Sequence, residues 1–469
     1  MFRRLERRSG ARVRVGWAAL ALLWTVAGCT ALPTIVPDMA RRPVREVHLE
    51  GVHGPLSARQ AREVLDRLAR RGEQTSIFDR HLALEEAVAG TPLMVGNRVA
   101  LLQDGPATFQ AMVAAIRAAK NHVHMETYII EDDEVGNRFA DILIGKQAEG
   151  VQVTLLYDSV GSMNTSKAFF QRLRDGGVRT LEFNPVNPLV ARKGWEVNQR
   201  DHRKLLIVDG RIAFLGGINI SSVYSGGSFA SRTRQRPGGG LPWRDIHLMV
   251  EGPIVAEFQK LFLASWAKQK GEVLATTEAF PQLASRGKEV VRAIGSSPDE
   301  PFSLIYATLL SAIGSAETSV YLTNAYFVPD PQLLAALKAA VARGVDVKLI
   351  LPGQTDSRLV FHAGRSYYTE LLTAGVKIYE RRDALLHSKT AVIDGVWATV
   401  GSTNLDWRSF LHNDEVNAVI LGHEFGAQMQ ALFEGDLAAS TRILPDRWER
   451  RGLGDRFMES ISRLWGYWL

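Results

Sequence analysis

The chain has 469 residues, 46% of them hydrophobic and 23% charged, enough apolar content for one or two large cores and too balanced for a disordered chain. Its single cysteine excludes an internal disulfide framework and a cysteine-based zinc site. The net charge of +6 does not mark a nucleic-acid binder: Arg3, Arg4, Arg7, Arg8, Arg12 and Arg14 against Glu6 put +5 of it into residues 1–28, leaving +1 for the rest.

Those first residues run from a basic start through the apolar "VGWAALALLWTVAG" (15–28) to Cys29. The order is that of a secretory signal. Val26, Ala27 and Gly28 before the cysteine resemble the lipobox of bacterial lipoprotein precursors, which implies that Cys29 is lipidated and becomes the first residue after cleavage. The competing reading is an uncleaved anchor, since residues 15–36 carry no charge, although Pro33 counts against it. Both readings hold the rest of the chain at a membrane surface. The lipoprotein reading places it in the bacterial envelope, facing the periplasm.

Residues 29–100 read as a linker and a small helical region, with "PLSARQAREVLDRLARRG" (55–72) an amphipathic helix. The chain then repeats itself. "IRAAKNHVHMETYII" (116–130) matches "IGSAETSVYLTNAYF" (313–327); "EGVQVTLLYDSVGS" (149–162) matches "RGVDVKLILPGQTDS" (343–357); "LRDGGVRTLEFNP" (173–185) matches "LLTAGVKIYERRD" (371–383). Each pair reads helix, Gly stop, apolar strand. The pattern predicts an α/β protein of two homologous halves packed pseudo-symmetrically, each a mixed sheet flanked by helices. The halves are expected at 101–271 and 301–440, joined by 272–300 and followed by a tail at 441–469. "SGGSFASRTRQRPGGG" (225–240) is a Gly- and Arg-rich insertion in the first half, without a counterpart in the second.

Each half then reaches the same chemistry. "NQRDHRKLLIVDGRIAFLGGINI" carries His202, Lys204, Asp209 and Asn219; "LLHSKTAVIDGVWATVGSTNLD" carries His387, Lys389, Asp394, Ser402 and Asn404. A His and a Lys two apart on a strand share one side of the sheet. Packed halves would bring two imidazoles and two ammonium groups to one site. Fixed cations and amide donors suit a phosphodiester, one imidazole attacking phosphorus and the other protonating the leaving oxygen. Lys204 and Lys389 supply charge; Asn219, Ser402 and Asn404 are the phosphate-binding candidates. A carboxylate usually sets each tautomer, and Asp245 and Glu415 are the candidates. Asp209 and Asp394 read equally well as catalytic members or as turn residues before Gly210 and Gly395. The constellation calls for no cofactor and no metal.

The duplicated motif, with "HMETYIIEDDEVGNRFADIL", "WRDIHLMVEGP", "NAYFVPDPQLLAALKAAVARGVDVKLILP" and "GSTNLDWRSFLHNDEVN", resembles the phospholipase D superfamily and, within it, the bacterial cardiolipin synthases, over about residues 95–440. The resemblance implies ping-pong transfer of a phosphatidyl group, with His202 as nucleophile and His387 as general acid and base. Donor and acceptor would both be phosphatidylglycerol, and glycerol would leave. The chain departs from its own repeat at Gly217, where the second half has Ser402. The partners expected are phospholipids and a membrane surface, not nucleic acid; one chain suffices, since it holds both halves. A hydrolytic phospholipase D is the alternative, and a nuclease a more distant one.

Overall fold

The alternating helices and apolar strands of the repeats build two sheets with one strand order. A computed structural model describes residues 34–37, 47–69, 77–186, 196, 198–226, 241–274 and 279–469. The chain divides into residues 1–35 and 36–469, and everything below concerns the second unit. The leader, Cys29 and residues 227–240 of the insertion lie outside the described residues.

The first half supplies β1 (Leu93–Gln103), β2 (His122–Thr127), β3 (Gln152–Asp158), β4 (Arg179–Phe183), β5 (Lys204–Val208), β6 (Ile212–Gly216) and β7 (Ile246–Glu251). They lie in the order β1-β7-β6-β5-β2-β3-β4, antiparallel up to β2 and parallel from there to β4. The second half supplies β8 (Glu289–Ser296), β9 (Ser319–Asn324), β10 (Asp346–Pro352), β11 (Lys377–Arg381), β12 (Lys389–Ile393), β13 (Trp397–Gly401) and β14 (Asn413–Leu421). Their order, β8-β14-β13-β12-β9-β10-β11, is the same with every number raised by seven. The expected pair of homologous α/β halves is therefore present. β1 and β8 pair antiparallel, Val95 opposite Val290, and make the two sheets continuous.

β1 begins at Leu93, inside the stretch expected to be a helical preface. Gly96, at φ 95°, followed by Asn97 and Arg98, interrupts its apolar pattern and hides the strand. The preface does contain the amphipathic helix, at Ala58–Ala69.

Both faces of each sheet are covered, so the strands read as continuous apolar runs rather than alternations. In β5, Leu205 and Ile207 join a core that also holds Val416, Ala418 and Ile420 of the second half. Leu206 and Val208 join another core, with Phe109, Phe139 and Leu143 from the helices Asp104–Ala118 and Glu134–Ala148. The apolar union of the halves fixes the two motifs relative to each other.

Candidate active site

Two short parallel pairings tie one half to the other, and they build the site. Arg200–Asp201 pairs with the start of β14, Asn413 opposite Arg200 and Asp414 opposite Asp201. The next residues in that register are His202 and Glu415. Trp243–Arg244 pairs with Leu385–Leu386 in the same way, and the next residues are Asp245 and His387. Backbone hydrogen bonds extend both registers: His202 N–H donates to Asp414 O at 2.9 Å, and His387 N–H donates to Arg244 O at 2.8 Å.

Each histidine is therefore held by the carboxylate of the opposite half. His202 Nδ1 lies 3.0 and 3.1 Å from the two oxygens of Glu415, and His387 Nδ1 lies 2.7 Å from Asp245 Oδ2. With Nδ1 engaged, Nε2 is the nitrogen each ring has for chemistry. Both rings line one cavity of about 430 Å³, together with Asn219, Asn404, Tyr128, Tyr224 and Trp243. Lys204 Nζ donates to His202 O at 2.6 Å, and Lys389 Nζ donates likewise to His387 O.

Burial governs the charges. It lowers the His202 imidazole to about 4, with Lys204 adding to the effect against the opposing pull of Glu415. His387 is lowered as well, by burial and then by Lys389. Burial would raise Glu415, but His202, Lys204 and the Ser402 hydroxyl outweigh it and hold the carboxyl at about 2. Near neutrality the free site thus offers a neutral His202 imidazole beside a fixed carboxylate. Burial also brings Lys204 down to about 7 and Lys389 to about 8, despite the nearby acids. Both ammonium groups are poised to gain from a bound anion.

Three expected members stand elsewhere. Asp209 and Asp394 lie past the far ends of β5 and β12, at φ 52° and 50°. Asp209 accepts the backbone N–H groups of Lys120, Asn121 and His122 at 2.8, 2.8 and 2.9 Å. Asp394 accepts those of Glu317, Thr318 and Ser319 at 2.9, 2.8 and 2.9 Å. These carboxylates staple β5 to β2 and β12 to β9, and they are distant from the imidazoles. Ser402 is fully buried: its hydroxyl donates to Glu415 and accepts Val416 N–H at 3.0 Å, so it braces the carboxylate instead of facing the cavity.

The Gly217 asymmetry now has a cause. A Cβ there would stand 2.3 Å from Asp245 Oδ1, so in this half the carboxylate occupies the space that a serine would need. Asn219 accepts Ile129 N–H at 3.2 Å and donates to Tyr224 Oη at 3.2 Å; that hydroxyl lies 3.3 Å from His387 Nδ1. Tyr224 and Trp243 flank the Gly- and Arg-rich stretch, where nothing in the sequence spacing announces them. Tyr367 and Tyr368 are buried in the body, Tyr368 against Trp448.

Two like halves that each bring a histidine to a shared cavity, with a lysine two residues on and a carboxylate from the opposite half behind the ring, define a two-motif enzyme of the phospholipase D type. A family model described as "Cardiolipin synthase, PLD-like domain" matches residues 112–225 and 309–437. The chain is 40% identical over 366 residues to cardiolipin synthase 2 of Bacillus anthracis, covering 77% of this chain and 69% of that one. It is 37% identical over 396 residues to the cardiolipin synthase of Alkalihalophilus pseudofirmus, covering 84% and 76%. Among solved structures, phosphatidylserine synthase of Haemophilus influenzae shares the fold at TM-score 0.57 and 14% identity, covering 82% of this chain and 99% of that one. The chain belongs to the cardiolipin synthase family of phospholipase D-like enzymes.

Proposed function

We propose that the enzyme transfers a phosphatidyl group from one phosphatidylglycerol to another, making cardiolipin and releasing glycerol. The family membership supports the overall reaction. The observation that carries the mechanism is the crossed pairing of His202 with Glu415 and His387 with Asp245 around one cavity. Neutral His202 Nε2 attacks phosphorus; the bond to the glycerol oxygen breaks, and His387, which takes up a proton from solvent beside the bound phosphodiester anion and Asp245, gives that proton to the leaving oxygen. The product is a phosphatidyl group on His202. His387, now neutral, takes the proton of the second lipid's primary hydroxyl, whose oxygen displaces Nε2 and completes the diester. Lys204, Lys389, Asn219 and Asn404 hold the phosphoryl oxygens as charge moves across them. Asp209 and Asp394 are structural in this scheme.

Attachment to the envelope membrane through a lipidated Cys29 is part of the same reading, supported by the leader's pattern. Incubation with phosphatidylglycerol labelled in its headgroup and in its acyl chains tests the reaction. Cardiolipin with one equivalent of free glycerol is expected; phosphatidic acid as the sole lipid product would make the enzyme a hydrolase.

A further inference from the structure

The last helix, Leu453–Leu464, is built inside out. Placed at 100° per residue, Leu453, Phe457, Met458, Ile461, Leu464 and the following Trp465 share one arc, while Asp455, Glu459, Ser462 and Arg463 share the other. An ordinary surface helix would bury the first arc. Here the apolar residues are 39–82% exposed, whereas Glu459 and Ser462 are at 2% and 0%. The polar arc packs on the neighbouring helix Arg358–Arg365. Arg451 Nε, from the turn before the helix, donates to Glu459 at 2.9 Å, and Arg463 lies over the Tyr367 ring at 4.6 Å. Leu359 on that neighbour is exposed as well.

The apolar face runs into the catalytic cavity. After the helix, buried Gly466 and Tyr467, set edge-on against Trp407 at 5.3 Å, hold the chain end to the body. Trp468 and Leu469 then line the same cavity as His202 and His387, and Trp468 remains 63% exposed. Arg442, Arg447, Arg450 and Arg456 of this terminal segment are exposed, as are Asp446, Glu449 and Asp455, and residues 442–469 hold six arginines against four acids.

We propose that this face is a membrane-docking surface that lies in the headgroup region of an anionic bilayer and delivers lipid to the cavity mouth. The proposal rests on the phosphatidyl-transfer reading, because that substrate must leave a bilayer to reach His202. Apolar residues backed by arginine, with tryptophan at the rim, suit the interface between acyl chains and headgroups. Continuity with the cavity favours a bilayer over a second copy of the chain, which would cover the mouth.

The test uses the full chain carrying Cys29→Ser, so that no lipid anchor contributes, with and without Phe457→Ser/Leu464→Ser. The quantity read is turnover on phosphatidylglycerol vesicles divided by turnover on dibutanoyl phosphatidylglycerol dispersed as monomers. The double variant is expected to lower that ratio by about tenfold or more; an unchanged ratio overturns the proposal. An unchanged ratio with a dimer-to-monomer shift in sedimentation assigns the face to self-association instead. Brominated lipid in the vesicles gives a second reading that needs no turnover and no core substitution. Quenching should weaken in Trp465→Phe, and equal quenching with and without Trp465 contradicts the docking. If neither lipid form is turned over while Trp465 is quenched, the reaction fails and the docking stands.

Discussion

His202 and Lys204 stand two residues apart, yet burial acts on their chemistry in opposite senses. A lowered imidazole is available as a nucleophile through the neutral range, so protonation of His202 should reduce activity only near pH 4. A lowered ammonium is a liability on the alkaline side. Lys204 and Lys389 lose their protons in the free enzyme as pH rises through about 7 and 8, and phosphate binding weakens with them. kcat/KM should therefore fall above neutrality, while kcat, reporting the complex in which the anion restores both charges, should fall at higher pH. Parallel alkaline limbs in the two profiles would contradict this. At Gly217 a side chain must displace Asp245, so Gly217→Ser should cut kcat by about 100-fold or more, the range of acid–base catalysis, with little change in thermal midpoint. The histidines, lysines and asparagines were legible as residues, because the duplication marks them twice. That Ser402 braces Glu415 was not, since a hydroxyl near a phosphate site and one behind a carboxylate have the same spelling.

Strands and helices set those residues in place, and their charged supports are the vulnerable parts. Asp209 satisfies three backbone N–H groups at the junction of β5 and β2. Asp209→Ala should cost about 1–3 kcal/mol of stability, read by denaturant unfolding, and leave kcat of the folded fraction intact. A loss of kcat without a loss of stability would return this aspartate to the catalytic set. Asp436, on the helix His423–Ala438, accepts from Arg244 Nε at 2.9 Å and from Arg381, all three side chains being buried. Asp436→Ala leaves Arg244 only Asp104 and Arg381 only Asp383 as carboxylate partners, and should cost about 1–3 kcal/mol. Because Arg244 leads directly into Asp245, the variant should also slow turnover at temperatures where it remains folded. The repeating helix–strand units were legible from their Gly stops and apolar runs. The two-residue pairings at Arg200–Asp201 and Trp243–Arg244 were not, for a bridge that short has no periodicity. They decide which carboxylate serves which histidine.

At the scale of the molecule, the crossed pairings make the active site a property of both halves at once. Each half holds its own histidine and lysine but takes the carboxylate that orients the imidazole from the other. That dependence explains why the two sheets share one continuous hydrogen-bonded edge between β1 and β8. The union of the halves was legible only as an expectation from duplication; its register came from long-range packing. The central claim is that His202 carries the phosphatidyl group while His387 manages the proton. Its most direct test is to mix the wild-type enzyme with acyl-labelled phosphatidylglycerol, quench within a turnover, and locate the label by peptide mass spectrometry. The account predicts a phosphatidyl adduct on the peptide containing His202 and none in the His202→Ala enzyme. An adduct on the peptide containing His387 in the wild-type enzyme would reverse the roles and contradict it.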